Sequence, residues 1–317
     1  SAASRLITGS LRPHRDLEDA LADWKGAAAA LSFGSGYATA LGVIPALVDS
    51  GDIVILDRRV HACCVDAARL SGATLRVCRH NDLNHLESLL GWARSRPGTP
   101  RILIVTESVF SMDGDQAPLA GIVDLKERHD AWLMLDEAHA AGLFGDRRSG
   151  LAEALGLSGR IEIQMGTLGK ALGAAGGYVC GSRVLVDHLV GAARSFLFST
   201  APVPAAAGAA LAAIQCVRGA EGAERHRLVW SRIRQFAAHD GSKTADSAIV
   251  PVRVGAEPAA LDLSHRLLEA GVFVPAIRYP TVARGQACLR VSFTASHTAD
   301  DVARLACALH ACGHDSH

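Results

Sequence analysis

A single lysine, Lys170, stands among small residues in the segment "GTLGKALGAAGG" at residues 166–177. A lysine held in a low-dielectric pocket has a lowered pKa and becomes a nucleophilic amine that forms Schiff bases with aldehydes. The small neighbours leave room for a flat ring with its phosphate, and Thr167 is expected to face the same ligand. The alternative is a solvent-exposed lysine at the start of a helix, which the surrounding glycines and alanines disfavour.

A carboxylate, Asp136, ends a strongly apolar run in "LMLDEAHAAG", and His139 follows three residues later. A buried carboxylate is costly unless it meets a cation, which here would be a metal ion or a protonated heterocycle nitrogen. The sequence nearby has no cluster of histidines or further carboxylates to complete a metal site. The structural alternative is that Asp136 caps a helix, but this leaves His139 without a role.

Glycines precede a helical run in "FGSGYATALGVIPAL", so Gly36 and Tyr37 are expected to present backbone N–H groups to a phosphate at a helix N-terminus. The segment is neither a Walker A sequence nor a GxGxxG fingerprint, and by itself an ordinary strand-to-helix turn explains it better. An aldehyde at Lys170, a pyridine nitrogen at Asp136 and a phosphate at this helix together indicate pyridoxal 5′-phosphate (PLP). The protonated PLP ring is an electron sink for chemistry at the α-carbon of an amino acid.

The composition of the 317 residues is that of an ordinary soluble protein, 49% hydrophobic and 20% charged. Because 32 basic residues balance 32 acidic ones, we expect binding neither to nucleic acid nor to a membrane. The longest apolar stretch, residues 201–216, predicts a buried helix and not a membrane span. The eight cysteines include no pair of CxxC motifs, so we expect no metal site and buried, reduced thiols in a cytoplasmic protein.

Seven short apolar runs alternate with helical segments along the first two thirds of the chain. They lie at residues 27–33, 52–57, 73–78, 101–107, 131–137, 161–166 and 176–181. Continuous apolar runs of this length are typical of strands buried on both faces of a parallel sheet. We therefore predict an α/β fold, with a mainly parallel seven-stranded sheet between helices. Polar and titratable residues collect at the ends of five of these runs, where open α/β sheets bind ligands.

The sequence pattern changes near residue 217. A long polar helix is predicted first, and then a strand, a helix, two strands and a final helix. This order predicts a small C-terminal α+β domain at residues 217–317, which follows a PLP-binding large domain at residues 1–216.

Five segments together carry a resemblance to one family. They are "TESVFSMDGDQAPL", "LMLDEAHAAGLFG", "GTLGKALG", "FLFSTAPVP" and "PAIRYPTVARGQACLRVSFTASHT". They resemble the α-oxoamine synthases, which are PLP enzymes of fold type I, and the resemblance runs through essentially the whole chain. The stretches "AIRYPTVARG" and "LRVSFTASHT" are most similar to the branch that acts in biotin synthesis, and they disfavour a transaminase or a lyase.

The resemblance implies the cofactor contacts. Lys170 would be the Schiff-base lysine, Asp136 would pair with the pyridine nitrogen, and His61 would stack on the ring and orient the substrate. The remaining contacts, to the ring hydroxyl region and the phosphate, are implied for Gly36, Tyr37, Ser111, His139, Thr167 and Thr200. Because Thr200 would reach the phosphate of a neighbouring subunit, the resemblance also implies a homodimer.

Substrate contacts are implied in the C-terminal part of the chain. Arg290 would bind the amino-acid carboxylate, whose planar shape suits a guanidinium group, and Thr281 and Arg278 would lie beside the acyl substrate. Ordinary structural roles remain open as well: His61 as a loop histidine, Ser111 as a turn cap, and Arg290 as the partner of a surface acid. For Thr281 and Arg278 the two explanations are close.

The implied reaction is the decarboxylative condensation of L-alanine with pimeloyl-CoA, or with its carrier-protein form. Lys170 would remove the α-proton, and His139 or His61 would donate a proton to the thioester oxygen. The alternatives are a sibling enzyme such as glycine C-acetyltransferase, and a weakly active fragment or partner-binding subunit. Members of the family also carry an Asn-Asp-Tyr-Leu-Gly-Leu stretch in a further N-terminal segment. This stretch does not occur here, so we expect the chain to start about where that segment ends.

Overall fold

The computed structural model describes residues 3–240 and 245–313. The chain divides into two compact units. The large unit comprises Ser1–Val109 and Ala117–Ala220, and the small unit comprises Phe110–Gln116 and Glu221–His317. The domain boundary expected between residues 216 and 217 stays a prediction. The apolar pattern of the sequence contains no signal for the grouping of residues 110–116 with the C-terminal unit.

The sheet of the large unit contains seven strands in the order β1-β7-β6-β5-β4-β2-β3. Their bounds are Ala29–Phe33 (β1), Ile53–Asp57 (β2), Thr74–Cys78 (β3), Ile102–Glu107 (β4), Trp132–Asp136 (β5), Ile163–Thr167 (β6) and Gly177–Gly181 (β7). Each strand coincides with one of the seven apolar runs, and the predicted mainly parallel α/β fold is confirmed. Strand β7 runs antiparallel to both β1 and β6, a direction that apolar composition does not encode.

Helices follow most of these strands. Their bounds are Arg12–Lys25 (α1), Gly36–Leu47 (α2), Ala62–Ser71 (α3), Leu83–Arg94 (α4), Leu119–Arg128 (α5), Leu151–Ala154 (α6), Arg183–Ala192 (α7), Arg194–Leu197 (α8) and Pro204–Arg218 (α9). Helix α9 covers most of the stretch expected to be a buried helix, but only one face of it is buried, through Ala207, Ala210 and Ile214. Within the described ranges, no helix combines the length and the apolar character that crossing a membrane requires.

The sheet is covered by helices on both faces, as strand β7 illustrates. Val179 packs in a cluster with residues of α2, α3 and α7. Its neighbours Tyr178 and Cys180 point to the opposite side, where they pack with residues of α1 and α9. Strand β3 departs from the expected burial on both faces: Val77 is 51% exposed, because β3 is the edge strand and pairs only with β2.

The small unit is built around a three-stranded antiparallel sheet in the order β8-β10-β9. Its strands are Ile249–Gly255 (β8), Ala276–Ile277 (β9) and Ala287–Ser292 (β10). The helices are Ala220–Asp240 (α10), Glu257–Glu269 (α11) and Ala299–Ala311 (α12). This order of a long helix, strand, helix, two strands and helix is the one that the sequence predicts.

Candidate active site

A cavity of 140 Å³ lies at the carboxyl ends of the parallel strands of the large unit. Glu107 ends β4, Asp136 ends β5 and Thr167 ends β6, and the loop after β2 adds His61. Seven of the predicted site residues line this cavity: Gly36, Tyr37, His61, Asp136, His139, Thr167 and Lys170. The structure therefore brings together, from five separate elements, the side chains that the sequence nominated one by one.

Asp136 is buried in this cavity, with 6% of its surface exposed. Its Oδ1 atom accepts a hydrogen bond of 2.9 Å from the backbone N–H of Ala138. No side-chain cation forms an ion pair with it in the described part of the chain. Burial, with a smaller contribution from the charge of Cys63, raises the pKa of Asp136 to about 6, and the Ala138 hydrogen bond and Lys170 partly oppose this shift. The carboxylate is therefore poised to accept a cation.

A second buried carboxylate, Glu107, stands next to the first and was not among the predicted site residues. It is 2% exposed, and its Oε1 atom accepts a 2.6 Å hydrogen bond from the backbone N–H of His61. Burial, and then the charge of Asp136, raise the pKa of Glu107 well above its ordinary value. The available signal was its position as the last residue of the run at residues 101–107.

His61 is held at the start of helix α3. Its Nδ1 atom accepts a hydrogen bond of 3.2 Å from the backbone N–H of Cys63. The Cys63 thiol beside the ring raises the pKa of the imidazole, and the charge of Asp136 adds to this effect. Burial of the ring and Lys170 act in the opposite direction. His61 is thus fixed by the backbone of its own helix, and its ring is available to a ligand in the cavity.

The N-terminus of helix α2 forms one wall of the cavity. Ser35 caps this helix by accepting a 3.0 Å hydrogen bond from the N–H of Ala38, so Gly36 and Tyr37 lie in its first turn. N–H groups of a first helical turn lack partners within the helix and attract anions. A Cβ atom on Gly177 would lie 2.6 Å from the Gly36 nitrogen, so only glycine allows β7 to approach the helix this closely. The wall therefore suits a phosphate group.

Lys170 lies in the turn between β6 and β7. Backbone hydrogen bonds close the turn: Leu168 N–H to Gly176 O at 2.9 Å, and Gly173 N–H to Lys170 O at 3.0 Å. The expectation of a buried, desolvated amine is not met in the described chain, because Lys170 is exposed although it lines the cavity. The glycines and alanines that leave room for a ring also leave the lysine side chain uncovered.

Behind the cavity, a buried ion pair holds the residue that follows Asp136. Lys25 and Glu137 are 1% and 0% exposed and form a short ion pair. The Lys25 ammonium also donates to the carbonyl of Ser149 at 2.8 Å, and Glu137 accepts from the N–H of Ala152 at 2.9 Å. All four groups are thereby satisfied, which fixes the backbone at the end of β5.

The remaining predicted site residues lie outside this cavity. Thr200 is exposed and its backbone bridges to Ser4. Ser111, Arg278, Thr281 and Arg290 belong to the small unit. There the Arg290 guanidinium donates to the carbonyl of Ser111 at 2.7 Å and to the Ser292 hydroxyl at 2.6 Å, and it pairs with no surface acid within the described residues. Their roles toward substrate or cofactor stay predictions.

A larger cavity of 620 Å³ lies at the opposite, amino ends of β4, β5 and β6. Its charged side chains already have partners: Arg101 pairs with Asp52, and Glu162 pairs with Lys126. His188 is hydrogen bonded to the Ala46 carbonyl. These titratable side chains already bond to other residues of the fold. The larger cavity therefore offers a ligand fewer available charged groups than the smaller one.

The smaller cavity suits PLP, by the chemistry of the groups that it contains. The buried Asp136, which has no ion-pair partner among the described residues, supplies a negative charge for a protonated ring nitrogen. The first turn of α2, with Thr167 beside it, supplies donors for a phosphate, and Lys170 supplies the amine for an aldehyde. His61 and His139 complete the lining with two imidazoles.

Comparison with known proteins identifies the family. The family model for aminotransferase classes I and II matches residues 1–309. The chain belongs to this family. A relative from Methylobacterium sp. (strain 4-46), an 8-amino-7-oxononanoate synthase, is 48% identical over 309 residues, which cover 98% of this chain and 78% of the relative. The 8-amino-7-oxononanoate synthase from Methylocella silvestris is 45% identical, with coverage of 96% and 86%.

Solved structures of family members give the same result. The serine palmitoyltransferase of Sphingomonas wittichii superposes with a TM-score of 0.93 at 31% identity, over 98% of this chain and 80% of that one. The 8-amino-7-oxononanoate synthase of Francisella tularensis gives a TM-score of 0.80 at 25% identity, with coverage of 95% and 86%. The predictions of fold type I, of an α-oxoamine synthase that transfers an acyl group, and of PLP as the cofactor are confirmed.

Proposed function

We propose that the chain condenses L-alanine with pimeloyl-CoA, or with pimeloyl carrier protein, to give 8-amino-7-oxononanoate, CoA and CO₂ in biotin synthesis. The observation that carries this proposal is the 48% identity, over 98% of the chain, to a relative that bears the name of this activity. The cavity at the strand ends supports it, because an amine, two imidazoles and two buried carboxylates line it.

PLP, when bound, supplies the electron sink that stabilises negative charge at the α-carbon of the amino acid. We assign the phosphate to the N–H groups of Gly36 and Tyr37 and to the hydroxyl of Thr167. We assign the ring nitrogen to Asp136, whose negative charge keeps a proton on that atom. The N-terminal turn of α2 and the end of β5 thus orient the site.

The proton transfers fall to the chain's own bases. The Lys170 amine takes the α-proton of the amino acid and later returns a proton to the same carbon. His139 or His61 donates to the thioester oxygen, where negative charge develops as the new carbon–carbon bond forms. His61 is suited to this role because the Cys63 thiol and the Asp136 carboxylate favour its protonated form.

The proposal includes a homodimer and a cytoplasmic location. Thr200 is exposed on the large unit, as a residue that contributes to a neighbouring subunit's phosphate site must be. Arg290 remains our candidate for the amino-acid carboxylate, with Arg278 and Thr281 beside the acyl chain.

A substrate panel tests the activity. L-alanine, glycine and L-serine are each combined with pimeloyl-CoA, acetyl-CoA and palmitoyl-CoA, and both CoA release and product mass are measured. We expect kcat/KM for L-alanine with pimeloyl-CoA to exceed every other combination by at least about 10-fold, the discrimination that one methyl group supports. A maximum with glycine and acetyl-CoA would instead assign the sibling synthase. PLP binding without turnover on any pair would assign a weakly active fragment or a partner-binding subunit.

A further inference from the structure

We propose that Cys63, Cys64 and Asp136 form a binding site for a thiophilic divalent cation such as Zn²⁺. The two cysteines lie in the first turn of helix α3, and Asp136 ends strand β5. Neither thiol is assigned a contact with the reacting atoms of the condensation, and Cys63 acts there only by favouring the protonated form of His61. The inference therefore goes beyond the proposed function, and metal binding is measured without any substrate.

The distances match those of a metal site. The two Sγ atoms are 3.9 Å apart. They and a carboxylate oxygen of Asp136 all lie within 4.8 Å of one another. With zinc–sulfur bonds of about 2.3 Å, two thiolates of a tetrahedral site are separated by about 3.8 Å. The sulfur atoms therefore already stand at the separation that a tetrahedral ion requires.

The surroundings favour the ion as well. Cys63, Cys64 and Asp136 are 2%, 0% and 6% exposed, so water competes weakly for the ligand positions. The positive end of helix α3 stabilises a thiolate at Cys63, whereas the complete burial of Cys64 opposes a charge on that sulfur until an ion binds. Cys63 and Asp136 also line the 140 Å³ cavity, which gives an ion a route from solvent and leaves room for a fourth ligand.

The chemistry balances without any redox step. Zn²⁺ is coordinated by two thiolate sulfurs and one carboxylate oxygen, and the proton of the buried Cys64 thiol passes to solvent as the ion binds. Two sulfur ligands favour zinc or cadmium over magnesium or calcium, which prefer oxygen. Because the carboxylate is the one that we assign to the PLP ring nitrogen, the ion and the cofactor would compete for it.

The eight cysteines include no pair of CxxC motifs, and their spacing therefore predicts no metal site. That rule applies to ligands carried on a single loop. Here adjacent cysteines of one element meet a carboxylate from another, and only the fold brings them together.

Cadmium titration of the 317-residue chain, freed of PLP, tests the site. The ultraviolet absorption of cadmium–thiolate bonds reports binding, and the double variant Cys63→Ser with Cys64→Ser serves as the blank. We expect one Cd²⁺ per chain above this blank, displaced by Zn²⁺, with a release of protons that the blank does not show. In Cys64→Ser the affinity should fall at least about 10-fold and the thiolate absorption should halve. Cys180→Ser removes another buried thiol from a different cluster and should leave binding unchanged.

Two results would overturn the proposal. One is wild-type affinity and absorption in Cys64→Ser. The other is wild-type affinity in Asp136→Asn, which keeps both thiols and changes only the oxygen ligand. The second variant also keeps the test decisive if near-ultraviolet circular dichroism shows that replacement of a buried cysteine disturbs the fold.

Discussion

Two buried aspartates stand at opposite ends of the same sheet and have opposite surroundings. Asp52 directly precedes β2 and is 5% exposed, and Asp136 ends β5 and is 6% exposed. Asp52 forms a 2.5 Å ion pair with Arg101 and accepts backbone hydrogen bonds from Asp49 and Arg101 at 3.0 and 2.9 Å. Asp136 accepts one backbone hydrogen bond and has no ion pair within the described residues.

The pKa values of the two carboxyl groups follow from this difference. Burial acts on both and by itself raises a carboxyl pKa. At Asp52 the hydrogen bonds from Arg101 and from the backbone outweigh burial, so its pKa falls below the ordinary value. At Asp136 burial prevails and raises the pKa to about 6. A buried carboxylate with partners therefore serves the fold, and one that lacks them retains the capacity to bind a cationic ligand.

Replacing Lys170 by Ala gives the largest expected effect on function at the carboxyl end. Loss of the Lys170 amine that lines the cavity should reduce turnover by at least about 10³-fold, since it removes both cofactor attachment and proton transfer. Because Lys170 is exposed, the free energy of unfolding should change by less than about 0.5 kcal/mol. CoA release and chemical denaturation measure the two quantities, and retained turnover would refute the assignment.

The Lys25–Glu137 pair should produce the largest loss of stability. Lys25→Met leaves the fully buried Glu137 carboxylate without its cation, so the free energy of unfolding should fall by about 3–5 kcal/mol. Arg225→Ala is the matched control, because it breaks an exposed pair with Glu221 and should cost less than about 1 kcal/mol. Equal losses in the two variants would contradict the distinction between buried and exposed pairs.

Matched Asp→Asn changes test the comparison directly. Asp52→Asn removes an ion pair, so the free energy of unfolding should fall by about 1.5–3 kcal/mol while PLP affinity is retained. Asp136→Asn removes a buried charge without an ion partner, so the PLP-free chain should be as stable or more stable, while PLP binding weakens by about 2 kcal/mol or more. Denaturation curves and PLP titrations of both variants measure this. Destabilisation by Asp136→Asn comparable to that of Asp52→Asn would remove the contrast.

The lowered pKa of Asp52 should make its contribution to stability depend on pH. A carboxyl group whose folded-state pKa lies below its unfolded value of about 3.9 stabilises the fold above that pH. The contribution is lost as the pH falls through the lower, folded-state pKa. The difference in unfolding free energy between the wild type and Asp52→Asn should therefore be constant from pH 5 to pH 8 and shrink below about pH 4. A difference that grows on acidification would contradict the lowered pKa.

The smallest expected effect comes from the glycine against which α2 packs. Gly177→Ala places a Cβ atom 2.6 Å from the Gly36 nitrogen, which should cost about 1–3 kcal/mol of stability and weaken PLP binding. Gly191→Ala, in helix α7 with no atom within 4 Å of the added carbon, should be neutral or stabilise by up to about 1 kcal/mol. Unchanged PLP affinity in Gly177→Ala would argue against phosphate binding at this helix.

The sequence predicts the strands well because buried strands are apolar, and apolar runs can be recognised directly in the sequence. All seven runs of the large unit became strands, since the strands inside a sheet that helices cover must be apolar on both faces. The apolar pattern does not indicate the direction of a strand, so the antiparallel placement of β7 could not be predicted from it. The apolar pattern also does not indicate where a strand lies in the sheet. Val77 is exposed because β3 is an edge strand, which only the topology shows.

Site residues at the ends of predicted strands could be identified from the sequence. Residues whose role depends on burial or on contacts with distant parts of the chain could not. Asp136, Thr167 and Lys170 could be predicted as site residues because the end of a strand can be located in the sequence, and the fold places such ends at one edge of the sheet. Glu107 also ends a strand, but its burial and its contact with His61 depend on the three-dimensional fold.

The turn between β6 and β7, which carries Lys170, is closed by hydrogen bonds among residues that are near neighbours in the chain. Its shape therefore depends little on the other strand ends around the cavity. Mutagenesis aimed at a different acyl preference can therefore change Arg278 and Thr281, which we assign to the acyl chain, while this turn keeps the amine in place. Attachment of the cofactor and the choice of acyl chain are thus assigned to separate pieces of the polypeptide.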